Sequence, residues 1–195
     1  MAEADVEVLP PPATARGAFN DLLTPQCVAY VAALCRRFSL DPKCDSDAYR
    51  AFIRQRNERQ ARFDRGELPE FLHTGNATAV RRGDWAVPAH DCPRMSERKV
   101  EVGDLDPSRH EQLMSSLYAD EVSGVQCDFD DGFCPSWGNV LVGLRNLVEA
   151  SHLYGERGQR SPASIVFRPR AWNMVELNFR VGGRAVPGPL FDLGV

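Results

Sequence analysis

The chain has 195 residues, 43% hydrophobic and 26% charged, which suits one ordinary domain or a domain and part of another. A formal net charge of −4 and the lack of any apolar run near membrane-span length argue against nucleic acid or a bilayer as partner. Its six cysteines include no C-x-x-C pair; with no secretory signal they read as reduced, buried thiols rather than a zinc site, only His90-x-Cys92 coming close.

Residues Met1 to Val8 are acidic and fit neither a secretory signal nor a transit peptide, so the expected location is the cytosol or an organelle reached by a carboxyl-terminal address. Leu193-Gly194-Val195 is no such address. Residues 1–20, with Pro10-Pro11-Pro12 and few large apolar groups, predict a flexible arm with little structure of its own. Thr24-Pro25 is a cap-plus-proline helix start, after which Val28, Val31, Leu34, Cys35 and Phe38 form one apolar face. A second helix is expected over 46–65, with Tyr49, Phe52, Ile53 and Phe63 on one side and Gly66 just past its end. Its six arginines are interrupted by Glu58 and Asp64 and read as a solvated, ion-paired face.

Residues 67–105 are rich in turn formers and predict short edge strands or an irregular wrap. Asp106-Pro107 starts the next helix, striped by Leu113, Met114 and Leu117. Gly124 to Phe129 is a short strand running into the acids Asp128, Asp130 and Asp131. A helix over 137–153 follows, with Val140, Leu141, Leu144, Leu147 and Val148 on its face, and then the apolar strand 164–168. Pro169 cannot donate to a neighbouring strand, so this strand ends at Arg168. Strand, helix, strand is the module of parallel sheets, whose carboxyl ends carry chemistry. Topology therefore places Asp130 or Asp131 at one rim with Arg168. The stretch 177–186, turning at Gly182-Gly183, is a hairpin signal, and Leu190-Phe191-Asp192-Leu193 opens a further apolar element.

Three segments together resemble malate synthase. Arg168-Pro169-Arg170-Ala171-Trp172-Asn173-Met174-Val175-Glu176 is similar to the family's R-P-R-G-W-H-[LM]-x-E segment. Asp128-Phe129-Asp130-Asp131, with Pro135-Ser136-Trp137 and Asn139, resembles its D-F-E-D…S-P-[ST]-W-x-N segment. Val186 to Gly194 resembles the region around its S-L-F-D-F-G motif, and Leu22-Leu23-Thr24 and Gly66 to Leu72 follow its opening helices. The resemblance runs over about residues 20–195.

It implies an α/β chain: an N-terminal helical clasp over 21–120, then the first β/α units of a TIM (β/α)₈ barrel over 121–195, truncated, with 124–129 and 164–168 as its first two strands. The implied reaction is condensation of acetyl-CoA with glyoxylate and water to malate and CoA, in the cytoplasm or the peroxisome. Arg168 falls on the catalytic arginine; Asp130 and Asp131 fall on an acidic pair expected to orient the arginine or metal-bound water. The resemblance also implies Mg²⁺, whose ligands, like the catalytic base, are expected beyond Val195. Ala171 and Asn173 stand where the family has glycine and histidine, and Asp-Asp replaces Glu-Asp. The 195-residue chain alone is expected to be inactive. Two alternatives are a non-catalytic truncated isoform that acts by association, and a CoA-thioester lyase of the same barrel type.

Overall fold

A parallel strand pair joined by one long helix, as the 124–168 pattern requires, sits at the centre of the molecule. The computed structural model describes residues 5–38, 47–69, 77–88, 98–156 and 163–195. In chain order the elements are β1 (Val6–Val8), a 3₁₀ turn (Ala13–Ala15), α1 (Arg16–Leu22), α2 (Pro25–Phe38), α3 (Asp47–Asp64), α4 (Ala77–Arg82), β2 (Val100–Leu105) and α5 (His110–Tyr118). They continue with β3 (Val122–Asp128), α6 (Trp137–Glu156), β4 (Ser164–Arg168), β5 (Val175–Val181), β6 (Arg184–Pro187) and α7 (Gly188–Gly194). The expectations for Ser39–Cys44, Glu70–Leu72 and the His90-x-Cys92 pair lie outside the described residues.

β2, β3 and β4 form one three-stranded parallel sheet in that order. The register runs from Gly124 opposite Ser164 to Asp128 opposite Arg168. β3 is buried along nearly its whole length, as a central parallel strand must be. Helix α5 links β2 to β3 and α6 links β3 to β4. The second sheet is antiparallel, ordered β1-β5-β6, and its hairpin turns at Gly182 and Gly183 with φ of 59° and 74°. Two successive left-handed residues are what a two-residue type I′ turn demands.

Two apolar clusters hold these layers together. The larger joins Ala18, Val31, Phe129, Trp137, Leu141, Phe179 and Phe191, and so ties α1, α2, α6, the hairpin and α7 into one core. The smaller packs Leu113 and Leu117 of α5 and Ala150 of α6 on Val125 and Cys127 of β3. Trp137 packs against Phe19 and Phe191 and donates its indole N–H to Leu9 O at 3.2 Å, so it is a packing residue. Trp172, in contrast, is 53% exposed.

Three expectations need correction. Residues 5–20 are not an arm: β1 pairs with β5, Val6 opposite Val181 and Val8 opposite Phe179, while Ala15 and Ala18 are buried. A three-residue strand has no local signal, and β5 supplies its template from the far end of the chain. Pro12 is accommodated because α6 begins with a glycine at its second position: a Cβ on Gly138 would lie 2.9 Å from Pro12 Cγ.

The parallel sheet also starts before residue 121. β2 pairs in parallel with β3, so 124–129 and 164–168 fall in the second and third strands rather than the first two, and the boundary at 120/121 cuts a βαβ unit. β2 is one of the short edge strands expected within 67–105, polar in sequence, Val-Glu-Val-Gly-Asp-Leu, with register shifts on either side of Glu101-Val102; its place in the parallel sheet was not expected. Finally, the expected apolar side of α3 is only partly covered: Tyr49 and Ile53 are half-buried, while Phe52 and Phe63 are exposed.

Candidate functional site

Arg168 ends β4, and its neighbour across the parallel ladder is Asp128, which ends β3. Residues opposite each other in a ladder project to the same face, so pairing alone brings these two side chains together. Arg168 Nη1 donates to Asp128 Oδ2 at 3.3 Å and to Asp131 Oδ1 at 2.6 Å. Its Nη2 donates to Asp130 Oδ2 at 2.9 Å. The expected meeting of Arg168 with the acidic loop is therefore present, with both Asp130 and Asp131 taking part.

The loop carrying the acids is shaped by Asp128. This fully buried carboxylate accepts from the backbone N–H of Asp130 at 2.9 Å and of Gly132 at 3.0 Å. Gly132 cannot be replaced cheaply, because a Cβ there would sit 2.9 Å from Asp128 Oδ2 and 3.0 Å from Asp104 O. Asp130 is a clamp: one oxygen takes Arg168, while the other accepts from the Ala171 N–H at 3.3 Å, beyond Pro169. Asp131 is 75% exposed. Hydrogen bonding with the Asp128 side chain, and then the charge of Arg168, hold its carboxyl below the usual range. Desolvation works against the charge of Arg168, but the Asp128 and Asp131 carboxylates outweigh it and raise its pKa.

Two residues beyond, Arg170 makes a second and wholly buried network. Its Nε and Nη2 donate to Asp192 at 2.7–3.1 Å, its backbone N–H reaches Asp192 Oδ2 at 2.8 Å, and Nη1 donates to Glu176 at 2.9 Å. Arg170, Asp192 and Glu176 are each no more than 3% exposed. Burial works against the charge of Arg170, but its two carboxylate partners outweigh that and raise its pKa. The network fastens the segment after β4 to β5 and α7, and so fixes the backbone that carries Arg168.

The carboxylates of Asp104, Asp128 and Asp131 approach within 4.8 Å of one another. Asp104 reaches this rim with a left-handed φ of 50°, uncommon for a residue with a side chain, at the irregular end of β2. This set does not fit the magnesium that the resemblance implies. Asp128 is saturated by two backbone amides and Arg168, and Asp131 is already neutralised by Arg168.

The sequence reading placed Arg168, Asp130 and Asp131 together but overlooked what Asp128, Asp104, Arg170, Glu176 and Asp192 do. Strand register would have found Asp128. Nothing local to Asp192 marks it as the partner of an arginine 22 positions away.

No family model matches the chain. Curated proteins do match. The glyoxysomal malate synthase of Zea mays is 30% identical over 187 residues, which cover 91% of this chain and 31% of that protein. The chain resembles malate synthases. That of Myxococcus xanthus is 28% identical over 186 residues, covering 91% of the chain and 32% of that protein. The glyoxysomal malate synthase of Candida tropicalis is 30% identical over 206 residues, covering 97% and 34%. The chain thus spans about a third of the length of the curated relatives it matches. The malate synthase resemblance covers both rim segments described above, and the mixed α/β architecture with its parallel sheet agrees with it.

Proposed function

We propose that this chain supplies the arginine rim of a malate synthase-type barrel, in which acetyl-CoA condenses with glyoxylate and the thioester is then hydrolysed to malate and CoA. The single observation that carries the reading is the position of Arg168: at the carboxyl end of a parallel strand, clamped by acids from its neighbour, within a segment similar to malate synthases. Helices α2 to α4 correspond to the clasp, and β2 to β4 to the opening of a barrel sheet.

The chemistry suits a guanidinium. Loss of a methyl proton from acetyl-CoA gives an enolate, whose attack on the glyoxylate aldehyde carbon forms the new C–C bond and moves charge onto the aldehyde oxygen. A planar, permanently charged donor held in place stabilises that oxygen as it becomes anionic. In the structure Arg168 is fully engaged by carboxylates, and Asp131 is the exposed one. An incoming carboxylate substrate would exchange with Asp131, while Asp128 and Asp130 keep the guanidinium aimed. The proton-abstracting base is not assigned among the described residues. The implied magnesium would take its ligands elsewhere.

Two of these relatives carry glyoxysomal names, which fits a peroxisome-type compartment; the cytoplasm is the alternative. The 195-residue chain, incubated with acetyl-CoA and glyoxylate, should release no CoA thiol; turnover would refute the reading that it holds only part of the site. A chimera in which this chain replaces the matching third of the Myxococcus xanthus protein tests the arginine. It should turn over, and Arg168→Lys should cut kcat by about 10²–10³, the usual effect of losing one donor to a developing oxyanion. Equal activity in the lysine variant would refute the role of Arg168.

A further inference from the structure

The three prolines after β1 have no part in the rim chemistry, yet they follow a residue that is bonded to both halves of the rim scaffold. Leu9 donates its backbone N–H to Asn178 O on β5 at 2.8 Å, and its C=O accepts from the Trp137 indole N–H at 3.2 Å. From Asn178 the bonds run to the arginine side. Its backbone and side-chain N–H groups both donate to Glu176 Oε1, at 3.0 and 2.8 Å. The other oxygen of Glu176 takes Arg170 Nη1 at 2.9 Å, two residues from Arg168. From Trp137 the bonds run to the acid side. Trp137 opens α6, and Asn139 ties the preceding turn to that helix: its side chain donates to Cys134 O at 3.0 Å and its backbone N–H to Ser136 Oγ at 3.3 Å. Cys134 lies two residues from Gly132, whose N–H is held by Asp128.

The backbone at Leu9 is also stiff. Pro10 restricts Leu9 to extended conformations. Pro12 has φ of −59° and ψ of 154°, the polyproline II values at which proline runs act as semi-rigid spacers. The far end of the run is seated on α6, where only a glycine at 138 admits Pro12.

We propose that Leu9 is a positioning residue for Arg168: its one peptide backbone brackets the arginine side and the acid side of the rim, and the prolines keep that bracket rigid. Its catalytic meaning rests on the reading of Arg168 as the working guanidinium, whereas the bracket itself is tested on geometry.

In the folded 195-residue chain the hold of Arg168 on Asp131 is read from the Asp131 carboxyl midpoint by carbon-detected NMR; Asp104 and Asp128 are the other carboxylates beside it. Leu9→Pro removes the donor to Asn178, and Trp137→Phe removes the donor to Leu9 while keeping an aromatic ring against Phe19 and Phe191. Each should raise the midpoint by about half a pH unit, a roughly threefold weaker preference for the ionised form. Either break opens the same bracket, so the double variant should shift no further than the larger single one. A merely structural contact would lower Tm and leave the midpoint of the folded chain in place. Unchanged midpoints overturn the proposal, as do shifts that simply add. Should L9P lose its circular dichroism spectrum, W137F decides, and an unchanged midpoint there overturns the bracket. In the chimera with the Myxococcus xanthus protein, W137F should lower kcat about tenfold with KM for both substrates little changed, the sign of a misaimed group. An unchanged kcat overturns the positioning role. If Arg168→Lys leaves the chimera fully active, the enzymatic reading fails instead, and the Asp131 midpoint still decides the bracket.

Discussion

Arg170→Met is the most informative stability test, because it removes the sole cation from a buried cluster and leaves two carboxylates behind. Arg170 is 2% exposed and holds Asp192 through both side-chain oxygens and Glu176 through one. Breaking a buried pair by deleting one partner costs about 3–5 kcal/mol, chiefly the penalty of the charge left unpaired. For a chain of this length that is a fall in Tm of about 6–20 °C. Burial already pushes the Asp192 carboxyl up, and Arg170 is what opposes it. Without Arg170 the folded state would hold the proton more tightly than the unfolded chain, so stability of the variant should rise as pH falls from neutral toward the acid range. Urea denaturation followed by circular dichroism at several pH values measures both effects. A deficit under about 1 kcal/mol, or one that does not shrink on acidification, would refute the reasoning. The triple variant Arg170→Met, Glu176→Leu, Asp192→Leu should recover much of the loss, since apolar replacement of a whole buried ion cluster is often neutral.

Three further outcomes follow from described geometry. Asp131 should titrate below an ordinary aspartate by carbon-detected NMR; its contribution to the rim is present above the unfolded value and lost as pH falls through the depressed one, and Arg168→Ala should move its midpoint upward. Cys127, buried in β3 and pushed up to about 12 by desolvation, should resist alkylation in the folded chain at mildly alkaline pH, whereas exposed Cys134 should react. Gly183→Val should cost about 1–2 kcal/mol in denaturant melts because φ there is 74°, and an unchanged midpoint would rule out the type I′ turn.

The legible parts of this fold were those whose cause is local. The β3–α6–β4 unit shows in apolar periodicity, the hairpin in Gly182-Gly183, and the start of α2 in Thr24, whose hydroxyl accepts from the Cys27 N–H at 3.2 Å. The rim was legible in outline because Pro169 and the acids after β3 mark where two parallel strands stop. What was hidden depends on distant partners. β1 is a strand only because β5 lies alongside, β2 belongs to the parallel sheet only through its pairing with β3, and Asp192 is buried only because Arg170 meets it. The exposed face of α3 shows the converse error: Phe52 and Phe63 keep a helical period, yet among the described residues no apolar layer covers them.

The pairing of β1 with β5 also has a consequence for the order of events on the ribosome. Val6 needs Val181, and Leu9 N–H needs Asn178 O at 2.8 Å, so the first strand cannot close until β5 has been made. At about 5–20 residues per second that interval is roughly ten to thirty seconds. Through it Val6, Val8 and the prolines wait without their template while α6 and its neighbours collapse. The start of this chain settles only after the hairpin, and anything that delays the hairpin prolongs its exposure to proteases and chaperones.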